Sequence, residues 1–214
     1  MEHTVSFKKL MFYLLALTLA VGVALLFVEK LGYRRALEGI KMPRQQKAAG
    51  HATLQKDKYR LELDFQYDYE MEGLVVATKE YHSSAAFDTF CSTDIGMAWG
   101  DVARYNDTID FHWMMHNRHL YCNYRPEEIE ARFDPGGVVG IFMSNNHMIP
   151  SDDKTRRQIS LIRTGDHIRA TGYLVDCRCY RNGEYYTYWN SSTSRSDSGD
   201  GACEIIYVTD VQWL

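Results

Sequence analysis

The sequence has 214 residues and carries 24 Lys and Arg against 28 Asp and Glu, a net charge of −4 with histidines neutral. That balance excludes a chain-wide basic field of the kind that holds nucleic acid, so nucleic acid is not an expected partner. Aromatics make up 13% and prolines number four, which supplies core-forming side chains and leaves no Pro-rich disordered tract.

After a tail over residues 1–9, the stretch "LMFYLLALTLAVGVALLFV" (Leu10 to Val28) contains no charge. A helix of that length roughly spans a hydrocarbon core at about 1.5 Å per residue. The apolar run continues through Leu25, Leu26, Phe27 and Val28 without a small-residue cleavage site, so the reading is an uncleaved signal anchor. Lys8 and Lys9 favour a cytoplasmic N-terminus, while Lys30, Arg34, Arg35, Lys41, Arg44 and Lys47 pull the other way. Long domains translocate largely regardless of charge, so the remainder is expected outside the cytoplasm. Residues 29–57 read as a basic tether, helical up to the Met42-Pro43 step.

From Tyr59 the pattern becomes β. Leu61, Leu63 and Phe65 alternate with polar residues as in a half-buried strand, and Gly73 precedes a more buried Leu-Val-Val-Ala run. In "IDFHWMMHNRHLYCNYR", Asn117 separates two aromatic runs as the turn of a hairpin would. Pro150 to Asp153 mark a helix start, with Ile159 and Ile162 as apolar positions and Gly165 able to end the helix. Asn182-Gly183 between two β-rich runs is a hairpin signal. A five-stranded OB-like β-barrel over 58–214, with one helix in mid-order, is expected, with a β-sandwich as the alternative.

Four phrases, "GMAWGDVA", "SNNHMIP", "IRTGDHIRATGYLVD" and "WNSSTSRSDSGDGACEIIYV", occur in this order. Together they resemble a family of uncharacterised bacterial proteins with an N-terminal membrane anchor and a Ser-Ser-x-x-Arg-x-Asp-x-Gly-x-Gly-Ala-Cys-Glu ending. The resemblance covers about residues 66–210 and implies a single-pass protein of the bacterial inner membrane. It implies no activity.

The candidate chemistry is sparse. Cys203 and His147 suit a nucleophile–base pair with Asp197 as orienting acid. The loop candidates for ligand binding are Asn145, His147, Ser192, Arg195, Asp197, Gly199, Gly201 and Glu204. Their bland reading is a shaped turn in which Asp197 caps backbone amides and Arg195 pairs with Asp197 or Glu204. His112, His116 and His119, with Cys122, share a face if helical and form a weak zinc candidate; on a hairpin they scatter. Tyr180, Arg181, Tyr185, Tyr186, Tyr188 and Trp189 either form a stacking face or fill the barrel. The five cysteines, Cys91, Cys122, Cys177, Cys179 and Cys203, are an odd number, and most suit burial as small hydrophobes. No cofactor motif is present. The first functional expectation is a membrane-anchored envelope binding or scaffold module for a protein or other envelope ligand. The alternatives are a thiol hydrolase or transferase using Cys203 and His147, and a metal- or nucleotide-binding module.

Overall fold

The computed structural model describes residues 7–134, 137–197 and 201–214. The fold is mainly β. Helix α1 covers Phe7–Tyr33, and β1 (Arg44–Lys47) and β2 (His51–Lys56) lead into the long β3 (Tyr59–Glu80). Short α2 (Ala86–Phe90), β4 (Thr93–Ala98) and α3 (Gly100–Arg104) follow. A hairpin, β5 (Met114–His116) and β6 (His119–Tyr121), precedes α4 (Pro126–Glu130) and β7 (Met143–Pro150). Then come α5 (Asp153–Leu161), β8 (His167–Arg181), β9 (Glu184–Asn190) and β10 (Glu204–Trp213).

Five strands close on themselves. β3 pairs with β4, β4 with β7, β7 with β10, β10 with β8, and β8 returns to β3. Within this ring the β7–β10 contact is parallel and the others are antiparallel. β3 serves two neighbours because it is long and bends at irregularities between Phe65 and Tyr67 and between Val75 and Ala77. The two strands expected on either side of Gly73 are therefore one.

Period-two alternation fills the ring. Met71, Val75, Ile95, Met97, Met148, Ile168, Leu174, Ile206 and Val208 come from all five strands and form one buried cluster. A second cluster, on the other face of the sheet, joins Leu61, Leu63, Ile149, Val175, Cys177, Cys179 and Ile205 to Phe90 and Cys91 beside α2. A third seats the 100–142 segment through Leu74, Ala98, Val102, Ile109, Phe111 and Phe133. At the expected helix start, Asp152 is the N-cap of α5: the Thr155 backbone N–H donates to its side chain at 2.7 Å. The Asn182-Gly183 turn joins β8 to β9 as expected, both residues at positive φ.

The tether boundary is corrected. β1 and β2 pair with β3, Ile40 is buried, and the Leu37 N–H donates to the Ala103 carbonyl at 3.0 Å. The chain past α1 therefore belongs to the β unit well before residue 58, because it supplies neighbours for the otherwise bare half of β3. The described side chains of α1 are exposed, Leu15 at 72% and Leu19 at 70%. Among the described residues no helix is long and apolar enough to cross a membrane.

Candidate active site

The site lies on the face of β4, β7 and β10 opposite the ring interior. Ile95, Met148 and Ile206 point inward, so Asp94, His147 and Ile205 point the other way. Asp94 and His147 are opposite each other across the β4–β7 pair, and Ile205 is opposite His147 across the β7–β10 pair. Cys203 stands two residues before Ile205 on the same side. From strand spacing and rise, the Cα atoms of His147 and Cys203 lie about 8 Å apart. Both residues line one cleft of about 410 Å³ together with Phe87, Arg118, Trp189 and Ile205.

The imidazole is fixed. Its Nδ1 lies 2.8 Å from Asp94 Oδ1. A carboxylate can only accept, so Nδ1 carries the proton in this contact and Nε2 is the nitrogen left to accept one. Phe87 packs edge-on against the ring at 5.2 Å. Asp94 is fully buried, and Arg118 compensates its charge through Nη1 at 2.9 Å. The same guanidinium donates to Asp88 Oδ1 at 2.5 Å and to the Cys91 carbonyl at 2.9 Å. It also lies over the rings of Tyr81 and Phe87 at 3.9 and 4.6 Å.

The thiol is held from the other side. The Asn145 amide donates to Cys203 Sγ at 3.2 Å and to the Arg118 carbonyl at 2.6 Å. Burial pushes the Cys203 thiol above its ordinary value, with Asn145 opposing and the carboxylates of Glu204, Asp94 and Asp197 adding. The resting group is therefore a protonated thiol, which needs a base before it can attack.

The loop from Ser191 to Cys203 is ordered where described. The Ser192 N–H donates to the Cys203 carbonyl at 2.9 Å, and the Ile205 N–H donates to Ser191 Oγ at 3.0 Å. Ser192 Oγ donates to Asp197 Oδ2 at 2.5 Å. Arg195 pairs with Glu204 rather than Asp197, and its Nη1 donates to Tyr69 Oη at 3.3 Å. Gly201 takes φ +89°, and Gly199 lies outside the described residues.

These placements revise the sequence expectations. His147 and Cys203 line the same cleft. Asp197 is not the orienting acid: it is bonded by Ser192 within its own loop, while lining a second cleft with Asn145 and Cys203. Asp94, which sequence reasoning missed, holds the imidazole. The signal was present as a lone acid inside a fully buried strand. The histidine cluster is not a shared helical face, because His116 and His119 flank a hairpin turn and His112 sits before it with φ +44°. The β9 aromatics do not fill the ring. Tyr185, Tyr186 and Tyr188 are exposed, and Trp189 packs on Phe87 at 4.6 Å.

All five cysteines are free thiols. Among the described residues, Cys91, Asp94 and His147 present ligand-type atoms within 4.8 Å of one another. They suit a metal poorly. Arg118 Nη1 sits 2.9 Å from Asp94 Oδ1 and 4.0 Å from Cys91 Sγ, so a cation would meet a fixed positive charge. Burial and the nearby Asp94 also hold the Cys91 thiol well above its ordinary value, against the thiolate a metal requires. No family model, curated protein or solved structure matches the chain.

Proposed function

We propose that this chain is a thiol-dependent acyl hydrolase or acyltransferase, built on an OB-like barrel and tethered to a membrane by α1. The observation that carries the reading is that Asp94 fixes the tautomer of His147 in the cleft that Cys203 also lines. Nucleophile, base and orienting acid are the three parts of covalent acyl transfer. Cys203 Sγ attacks the acyl carbonyl carbon as its proton passes to His147 Nε2. The leaving alcohol, thiol or amine takes that proton as its bond to the acyl carbon breaks. Water, deprotonated by the same Nε2, then attacks the thioester, which releases the acid and restores the thiol. Asp94, paired with Arg118, stabilises the imidazolium in both halves.

The barrel reading follows strand order. The ring order β3-β4-β7-β10-β8, with α5 between β7 and β8 and a parallel β7–β10 pair, fits the five-stranded OB type. The anchor reading rests on the charge-free Leu10–Val28 stretch, the exposed apolar side chains of α1, and the resemblance to anchored proteins of the bacterial inner membrane. The enzyme domain is then extracytoplasmic.

The test is an acyl burst. Purified protein mixed with p-nitrophenyl acetate releases one equivalent of nitrophenol per Cys203, and mass spectrometry finds one acetyl on that residue. Cys203→Ser removes the burst, and His147→Ala slows it about 10²–10⁴-fold. A Cys203 that neither acylates nor reacts with iodoacetamide at neutral pH in the folded protein sinks the reading.

A second reading, a binding module for an envelope ligand, is favoured by Tyr185, Tyr186 and Tyr188, which stand exposed on β9 at the open end of the sheet order. A triple alanine variant that still retains every envelope protein crosslinked by the parent would remove it.

A further inference from the structure

We infer that Arg118 is a positioning residue that assembles thiol, imidazole and carboxylate by docking the β5–β6 hairpin onto them, an inference that rests on the acyl-transfer reading above. Asn117 and Arg118 form the two-residue turn between β5 and β6, both left-handed at φ +48° and +61°. Such a turn is least strained with glycine at its second position. An arginine there is strained, and its side chain accounts for the choice.

That side chain and its own backbone carbonyl reach both halves of the site. The guanidinium grips Asp94, the acid behind His147. The carbonyl accepts from Asn145, whose amide also holds Cys203 Sγ. Carboxylate and thiol are thus referenced to one residue on an element outside the ring. Asp88 and the Cys91 carbonyl fix the other guanidinium nitrogen, so the grip extends to α2 and the residue after it.

The sheet beneath is cut to receive the hairpin. Gly96 sits beside Asn145 in the β4–β7 register. A Cβ at Gly96 would come within 2.7 Å of Leu120 Cδ1, so glycine lets β6 lie directly on β4. The Arg118 N–H donates to Tyr81 Oη at 3.2 Å, which adds a stop at the end of β3. Lysine cannot replace this arrangement, because an ammonium lacks the planar fork and stacks poorly between two rings.

The experiment compares Arg118→Met, Arg118→Lys and Asp88→Asn with the parent, all as full-length protein in detergent. Two rates are measured: the p-nitrophenyl acetate burst and the alkylation of Cys203 by iodoacetamide across pH 6–9. Docking by Arg118 predicts opposite signs. The burst falls about 100-fold or more in Arg118→Met, while alkylation quickens several-fold because the hairpin no longer covers the thiol. Arg118→Lys lies between, and Asp88→Asn, which leaves all three catalytic groups in place, shifts both rates the same way by less. Arg118→Met with a cooperative melt, a burst within about threefold of the parent and unchanged alkylation overturns the inference. If Arg118→Met does not fold, Asp88→Asn decides by the same pair of rates. A parent without a burst removes the acyl-transfer reading and the catalytic part of this inference, and the alkylation contrast still decides whether Arg118 holds the hairpin over Cys203.

Discussion

Asp94 is a charged side chain with zero exposure in a strand whose six residues are all buried. Burial on that scale is tolerated only with compensation, here Arg118 on one side and His147 on the other. Asp94→Asn keeps the volume but offers the imidazole an amide that does not fix its tautomer. The acyl burst is expected to slow at least about 100-fold, and burst kinetics over pH 6–9 check it. Asp94→Ala additionally strands Arg118, and urea unfolding is expected to show a loss of about 3–5 kcal/mol. Glu204, next to the thiol, gives a separate pH signature. Burial pushes it up to about 7, with the Arg195 charge opposing and Asp197 adding. The folded state then holds a proton between about pH 4.5 and 7 that the unfolded state has released, so stability falls as pH rises through that window. The carboxylates held low, Asp88, Glu72 and Asp210, change only below it. Urea midpoints at pH 5 and 7.5 should therefore differ in the parent and converge in Glu204→Gln. At this scale Cys203 and His147 were legible in the sequence, since a cysteine and a histidine in patterned turns advertise themselves. Asp94 and Arg118 were not, because each earns meaning only from partners more than twenty residues away.

Among the elements, β8 and β10 approach each other unusually closely. A Cβ on Gly172 would lie 2.1 Å from the Tyr207 carbonyl oxygen, with backbone atoms behind it. Backbone cannot swing aside as a side chain can, so Gly172→Ala must part the two strands just before the register shift at Val208 to Asp210. A loss of about 1–3 kcal/mol in urea unfolding is expected. Thermal shift alone, with no drop in midpoint, would contradict the close approach. β10 also carries the approach to Cys203, so the same variant should lower the acyl burst even where it remains folded. The hairpin at Asn182-Gly183 and the capped start of α5 were legible because their signals are local: a turn dipeptide and an aspartate three residues before the N–H it accepts from. The loop of residues 191–203 looked like a linker by composition. Its described part is held by Arg195, whose partners Glu204 and Tyr69 lie on two different strands.

For the whole molecule, alternation and a small closed sheet were readable, whereas the number of strands and the pairings that seal the ring were not. The ring is sealed by β3 against β8, whose register runs from Tyr59 opposite Arg181 to Leu74 opposite His167, and nothing local encodes that pairing. The N-terminal limit of the β unit was misread for a related reason. "RRALEGIKMPRQQKAAGHATLQKDK" is polar, and polar residues are what an outer strand on β3 needs. Two deletions separate the proposed anchor from the fold. Removing residues 1–33 keeps Leu37 and Ile40 against α3 and both added strands on β3. That protein should leave the membrane fraction and melt with the midpoint of the full chain. Removing residues 1–57 strips Ile40 from the ring cluster and bares the β3 partners of β1 and β2. Burial of one isoleucine is worth about 1.5–3 kcal/mol, and in a domain of this size each kcal/mol moves the midpoint about 2–4 °C. The shorter protein should melt at least about 3 °C lower and associate through the bared strand. Equal midpoints for the two deletions would show that the segment before Tyr59 contributes nothing to the fold, and a full chain released from membranes by a high-salt wash would show that α1 does not anchor it.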